Sequence, residues 1–451
     1  MASGRYEASQ VDPSPLGQPL TFEFTGQTAK NRFFKSAMSE RLSSWDDQDL
    51  TKRGVPSKEL INVYRRWGEG DYGLLMVGNT MLDYDQLEAP GNPIIPAAAP
   101  FSGERFERFK ELATAAKKHG SLVHVQLSHP GRQVTEIVNP HPISPSDIKL
   151  ETRPFGVGFA KPRAMEKKDF EEVVSGFAHA SEYLYKAGYD GIQLHAAHGY
   201  LLAQFLAQTT NKRTDEYGGS LQNRARIIFE ISDAIRARVP DKSFSIGIKI
   251  NSVEFQEGGF SPEDCRDLCI ELEKHGFDYV ELSGGTYEHM GFSHQRESTK
   301  KREAYFLEFA DLIIPHLKKT KAYVTGGLRT VSGMLNALET VHGVGIARPA
   351  AQEFDLPRKI LEGKVNGALQ PLLDSQDFGE TSMAAGAQIR QAGFDKEPVD
   401  LSRPDHKEVF ARAFAVWNER KTKDGYIGYI DLPDFGDFQF LPYGTAYAKA
   451  A

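Results

Sequence analysis

The chain has only two cysteines, Cys265 and Cys269, in 451 residues. They lie four apart on what reads as one helix, so a disulfide framework is excluded and a reducing compartment fits. Long apolar runs are missing too: none approaches the ~18 residues of a membrane-crossing helix. The stretch Met1-Ala2-Ser3-Gly4-Arg5-Tyr6-Glu7 has no apolar core of the kind a secretory signal needs. Positive charge is not in excess either. Lys and Arg number 54 against 61 Asp and Glu, a net charge of −7, which argues against a nucleic-acid partner whose phosphates call for a basic surface. The expectation is a soluble cytoplasmic protein with no nucleic-acid or membrane partner. No G-x-G-x-x-G follows the first strand, which disfavours an open dinucleotide-binding sheet.

What is present is an alternation of strand and helix. Apolar strands are predicted at 32–38, 72–77, 122–127, around His195, 244–250, 279–282, 322–325 and 343–346. Helical periodicity falls between them, at 57–68, 101–119, 168–187, 221–239, 262–275, 305–317, 331–338 and 350–361. Eight βα repeats favour a closed (β/α)8 TIM barrel over an open sheet. Residues 1–28 precede it as an arm, with Leu20-Thr21-Phe22-Glu23-Phe24 alternating like a hairpin strand that plugs the barrel base. The barrel is predicted over 29–373. Within it, 128–165 is too long and too rich in Pro, Gly and Ser for a simple connection, and reads as a lid leaving the catalytic mouth. From 374 to 451 the repeat stops. A helix is predicted at 380–392, followed by an aromatic tail with Tyr426-Ile427-Gly428-Tyr429 and Phe435-Gly436-Asp437-Phe438. That tail is too aromatic for disorder and is expected to pack on the barrel or on a second copy, making a homodimer in the latter case.

In such a barrel the chemistry sits at the C-terminal ends of the strands. His195 ends the fourth strand, with His198 and Tyr200 just beyond. Two histidines can hold an oxygen and a tyrosine can give a proton. Ser36-Ala37-Met38-Ser39, Gly78-Asn79-Thr80, Gln126, Lys249 and Ser283-Gly284-Gly285 end or follow strands one, two, three, five and six. The seventh strand ends in Thr325-Gly326-Gly327-Leu328-Arg329 and the eighth in Gly345-Ile346-Ala347-Arg348-Pro349. Glycines there let backbone N–H groups approach a phosphate and an arginine completes the cradle. The histidines have duller readings, as a metal pair of a metal-dependent (β/α)8 hydrolase or as satisfied core residues. No obvious third ligand stands near them, so no metal is expected. Arg213, Asp215, Tyr217 and Arg224 read as a structural network under the fourth strand's loop.

Several motifs together resemble one family. Lys30-Asn31-Arg32 leading to Ala37-Met38, Val125-Gln126-Leu127 before His129-Pro130-Gly131-Arg132, the two-histidine run with Tyr200, and Asn211 to Arg224 with its N-x-R-T-D-E-Y-G-G-S-x-x-N-R are similar to the Old Yellow Enzyme family of FMN-dependent ene-reductases. The resemblance covers about residues 15–365, and the remaining tail is associated with fungal members. It implies FMN as bound cofactor and NADH or NADPH as hydride donor, with an α,β-unsaturated carbonyl compound as substrate. By position, Ala37, Met38 and Ser39 would line the flavin, and Asn79 would stand where a smaller residue is usual. Gln126 would meet the pyrimidine edge. Lys249 would replace an arginine beside N1 and the C2 carbonyl. Gly326, Gly327, Ala347 and Arg348 would hold the phosphate, with Ala347 in place of a glycine. His195 and His198 would bind the substrate oxygen and Tyr200 would protonate the carbon. A flavin-binding barrel that no longer turns over and acts through partners is the reading from a different class.

Overall fold

The computed structural model describes residues 4–153, 156–254, 257–285, 307–375, 377–424 and 433–447. Its centre is a closed eight-stranded barrel. The strands are β1 (Phe33–Lys35), β2 (Leu74–Met81), β3 (Leu122–Ser128), β4 (Gly191–Ala196), β5 (Ser245–Val253), β6 (Tyr279–Gly284), β7 (Lys321–Thr325) and β8 (Gly343–Ile346). Every neighbouring pair is parallel, and β8 closes onto β1 through Val344↔Phe33. Strands buried on both faces read as near-continuous apolar runs, which is why periodicity alone located them.

Helices coat the barrel. Ser57 caps the helix Lys58–Glu69, its hydroxyl accepting from the Leu60 N–H at 3.1 Å. That helix buries Leu60, Val63, Tyr64 and Trp67 toward the barrel and packs beside the helix Glu104–Lys117. Both thiols, Cys265 and Cys269, are buried on the helix Pro262–Lys274. Burial pushes the Cys265 thiol well above its ordinary range. The hairpin Leu20–Thr21 with Thr28–Ala29 closes the barrel's base, where Phe22 stacks on Tyr279 at 5.3 Å.

Two predicted helices differ from expectation. The one at 350–361 is broken into Arg348–Gln352 and Leu356–Leu361. Pro357 falls in the first turn of the second piece, where its missing N–H would have no helical partner, and it could not continue the first helix. The freed Glu353 turns to bind Arg5 at 2.7 and 3.0 Å and the Leu369 N–H at 2.7 Å. The predicted helix 305–317 is observed as Leu307–Ile313 followed by a tighter turn at Ile314–His316; residues 305–306 lie outside the described residues.

Segment 128–165 packs under the turn that follows β4. Leu201 N–H donates to the His129 carbonyl at 3.0 Å, and Gln133 Nε2 to the His198 carbonyl at 3.1 Å. The extension begins with the helix Phe378–Gly393 and continues with Pro404–Asp424, a helix the sequence pattern did not disclose. It lies against the barrel: Arg66 Nη1 donates to the Lys396 carbonyl at 2.7 Å, and Asn62 Nδ2 to the Gly393 carbonyl at 3.0 Å. Phe435 and Phe438 pack with Phe410 and Phe414, whereas Tyr426–Tyr429 lie outside the described residues. Among the described residues no helix is long and apolar enough to cross a membrane.

Candidate active site

One cavity of about 380 Å³ opens at the C-terminal end of the barrel. It gathers every residue that the resemblance assigns to cofactor or substrate: Ala37, Met38, Ser39, Asn79, Gln126, His195, His198, Tyr200, Lys249, Gly326, Gly327, Ala347 and Arg348. A pocket of this size with a few converging polar groups is the usual form of a cofactor site.

The mouth is shaped by backbone conformations that side chains rarely adopt. Asn79 has φ +40° and His198 φ +57°, both in the left-handed region. Asn79 lies in a bulge of β2. Val77 pairs with Val125 and Thr80 with Leu127, so β2 carries one residue more than β3 over this span. The bulge turns Asn79 inward. Gly78 beside it has no alternative, because a Cβ would stand 1.6 Å from the Met38 carbonyl oxygen. His198 is held in its conformation from both sides, its N–H donating to Asn251 Oδ1 at 3.1 Å and its carbonyl accepting from Gln133.

The two histidines face each other. His195 Nε2 lies 3.4 Å from His198 Nδ1. The far nitrogens are both anchored: His195 Nδ1 lies 3.1 Å from Ser128 Oγ, and His198 Nε2 lies 2.9 Å from Ser283 Oγ. Burial pushes the His195 pKa well below its ordinary value and that of His198 down to about 3; His198 and Lys249 add to the shift of His195, and Lys249 to that of His198. Both rings are therefore neutral near pH 7, each with one N–H. Asn79 Oδ1 only accepts, so the His195 hydrogen lies on Nδ1 and its Nε2 is bare; with Ser283 donating to His198 Nε2, the His198 hydrogen lies on Nδ1 and faces His195. The Tyr200 ring lies 4.3 Å from that of His195, and Asn79 Nδ2 lies 3.4 Å from the Tyr200 hydroxyl. Asn79 also donates to Glu88 Oε2 at 3.1 Å, and its Oδ1 lies 3.2 Å from His195 Nδ1.

Under the mouth runs a chain of buried polar groups. Gln126 Nε2 donates to Gln193 Oε1 at 2.8 Å, and Gln193 Nε2 to Glu281 Oε2 at 2.9 Å. Glu281 Oε1 accepts from Thr325 Oγ1 at 2.7 Å and pairs with Lys249 Nζ at 3.0 Å. A second buried pair, Lys35 with Glu40 at 2.8 Å, is bracketed by the Tyr64 hydroxyl. Glu281, Glu40 and Glu88 escaped the sequence reading. A signal existed for Glu281: it interrupts an otherwise apolar strand, and the alternation of β6 sets it on the face opposite Val280 and Leu282. Nothing local marks Glu88, which reaches the site from a loop.

The opposite end of the cavity suits an anion. Gly326 (φ +133°) and Gly327 (φ +78°) turn the chain after β7 in conformations open mainly to glycine. Arg348 begins the short helix after β8. Among the described residues no three His, Cys, Asp or Glu side chains gather as a metal site. The groups lining the cavity fit a flavin mononucleotide, which the Gln126 amide, the Lys249 ammonium, the Ser39 hydroxyl and the glycine-rich end with Arg348 would hold.

The network beneath the β4 turn is structural. Arg213 pairs with Asp215 at 2.5 Å and donates to the carbonyls of Pro145 and Met165 at 3.0 and 2.9 Å. Arg224 pairs with Asp264 at 3.0 Å.

Comparison with known proteins agrees with the geometry. Residues 15–366 match the family model described as NADH:flavin oxidoreductase / NADH oxidase. A protein of Aspergillus parasiticus, "NADH-dependent flavin oxidoreductase nadA", is 49% identical over 416 residues, covering 92% of this chain and 94% of its own length. That span reaches into the C-terminal extension. "NADH-dependent flavin oxidoreductase iliE" of Hypocrea jecorina is 32% identical over 76% of this chain and 88% of its own. Among solved structures, morphinone reductase superposes with a TM-score of 0.61 at 23% identity, over 79% of this chain and 93% of its own. The old yellow enzyme homologue of Zymomonas mobilis gives 0.62 at 21%, over 81% and 96%. These two show the shared fold. With the barrel, the cavity and the family match in agreement, the chain belongs to the NADH:flavin oxidoreductase family of Old Yellow Enzyme type, a group of FMN-dependent oxidoreductases fed by a nicotinamide donor.

Proposed function

We propose that this oxidoreductase reduces the C=C bond of α,β-unsaturated carbonyl compounds, with NADH as donor. One observation carries the reading: two neutral histidine nitrogens 3.4 Å apart, with Tyr200 alongside, at the mouth of the flavin cavity. A carbonyl oxygen there can accept from His198 Nδ1–H, the facing nitrogen that keeps its hydrogen when Ser283 bonds Nε2. A carbonyl held there is polarised, as by an oxyanion hole. FMN, once reduced by NADH, would supply the hydride for the β-carbon. Tyr200 then gives its proton to the α-carbon; a phenol with an ordinary pKa of about 10 is protonated at neutral pH and can act as the acid. Lys249 would set a positive charge beside the flavin ring, and Gln126 would orient it. The choice of NADH follows the names of the fungal relatives, which are called NADH-dependent.

Rapid-mixing kinetics of the Tyr200→Phe variant test the assignment. Bleaching of the flavin by NADH should proceed at the wild-type rate. Reoxidation by a cyclohexenone-type acceptor should slow by roughly 100-fold or more. Equal slowing of both halves would remove Tyr200 as the acid, and no reoxidation by any enone in the wild type would remove the ene-reductase reading.

A further inference from the structure

We propose that the C-terminal extension forms part of the flavin site, with Thr381 and Ser382 closing the anion end of the cavity around the cofactor's phosphomonoester. The proposal rests on the flavin reading and assigns a role to a segment beyond the family match, which ends at 366. The wall of the cavity changes ownership at its far end. Gly326, Gly327 and Arg348 come from the barrel; Phe378, Thr381 and Ser382 come from the first helix of the extension.

The two sides are joined by a directed contact. Arg348 Nη1 donates to Thr381 Oγ1 at 2.5 Å, and the same hydroxyl donates back to the Asp377 carbonyl at 2.7 Å. Thr381 is thereby a positioning residue: it fixes the guanidinium without itself offering a hydrogen to a ligand. Ser382, next to it, lines the same cavity, and its hydroxyl has no hydrogen-bond partner among the described residues. A phosphomonoester presents three charged oxygens with more acceptor sites than one arginine and a glycine turn can fill. The free hydroxyl of Ser382 supplies a further donor.

The wall is anchored from behind and does not depend on the ligand for its place. Gln388 Nε2 donates to Gln352 Oε1 at 3.1 Å and to the Val399 carbonyl at 2.9 Å, and Gln352 Nε2 donates to Asp400 Oδ1 at 3.1 Å. Among the described residues Glu353 is the carboxylate lining this end, and it is matched by Arg5 at 2.7 Å and Lys359 at 3.3 Å, so it does not set an unpaired negative charge against the anion.

The test uses the full-length protein stripped of flavin and titrated with FMN and with riboflavin, which lacks the phosphate. Ser382→Ala and Thr381→Val should each weaken FMN binding by about tenfold while leaving riboflavin affinity unchanged, as loss of one charge-assisted contact implies. Thr381→Ser, which keeps the hydroxyl, should restore the wild-type ratio. Riboflavin binding doubles as the check that each variant is folded. An unchanged FMN-to-riboflavin ratio in both variants, or equal weakening of the two ligands, overturns the proposal. A wild-type chain that takes up neither ligand would instead overturn the flavin reading on which it stands.

Discussion

At the residue scale the site is governed by which charges are buried together. Under the proposed reading Lys249 would stabilise negative charge on the reduced cofactor, but Glu281 Oε1 lies 3.0 Å from its ammonium. Glu281 is fully buried and receives hydrogen bonds from Gln193 and Thr325, so its position is fixed. Glu281→Gln removes the opposing charge while keeping the shape. The two-electron potential of the bound flavin should then rise by tens of millivolts, about 30 mV for each 1.4 kcal/mol. Dye-equilibration titration reads this directly, and an unchanged or lower potential would mean that Lys249 does not carry the charge. The histidine pair gives a second expectation. His195→Ala with His198→Ala removes both imidazole partners of a bound hydroxyl, and affinity for a phenol should fall by about 100-fold, two hydrogen bonds at roughly 1.5 kcal/mol each. Charge-transfer absorbance of the phenol complex measures it; unchanged affinity would count against the oxygen-holding role. Residue types in motifs were legible in the sequence because their chemistry is local. Glu281, Glu40 and Glu88 were not, because a buried carboxylate is defined by partners such as Lys249, Lys35 and Asn79 that lie far along the chain.

At the scale of elements, the bulge in β2 decides where Asn79 points. Its neighbour Gly78 accepts no side chain: the Cβ of an alanine would stand 1.6 Å from the Met38 carbonyl and 3.0 Å from Glu40 Oε2. Gly78→Ala must push the β1 loop outward, carrying Met38 and Ser39 with it. We expect loss of thermal stability on the scale of core overpacking, about 1–3 kcal/mol, together with weaker FMN retention on gel filtration. Wild-type stability and full retention in this variant would show that the loop after β1 yields freely. The barrel itself was readable from periodicity, since β8 falls at the predicted residues and the Ser57 cap fell where helix signals place it. The break at Glu353 was not. An apolar stripe runs on through 350–361, and only the tertiary claims on Glu353 and the place of Pro357 separate the two helices. The helix Pro404–Asp424 escaped for a related reason: its burial comes from Phe410 and Trp417 packing on Met383, Ala384 and Phe435, not from a clean amphipathic stripe.

At the scale of the whole molecule, histidines are distributed through the buried interior. Burial lowers the pKa of His124 to about 3, of His129 to about 4, of His198 to about 3 and of His342 to about 4, and that of His195 well below its ordinary value. These rings are neutral in the folded chain, whereas the unfolded chain takes up their protons below about pH 6.5. The unfolded state therefore binds more protons, and stability falls as pH drops from 6.5 toward the folded values near 3 to 4, by up to about 1.4 kcal/mol per pH unit for each histidine. Denaturant titrations between pH 7.5 and 5 should show this slope above the range where carboxylates titrate. A flat profile there would mean that these rings exchange protons with solvent in the folded state.

The burial of both cysteines has a practical consequence. The sequence holds no thiol besides Cys265 and Cys269, and both are enclosed on the inner side of their helix, so the native surface is blank toward maleimides and other thiol reagents. A single cysteine placed at Val416, 66% exposed on the second helix of the extension, becomes the only reactive handle on the molecule. A dye fixed there, with a bound flavin as its partner for energy transfer, turns the separation of the extension from the cavity into a distance that can be followed in solution.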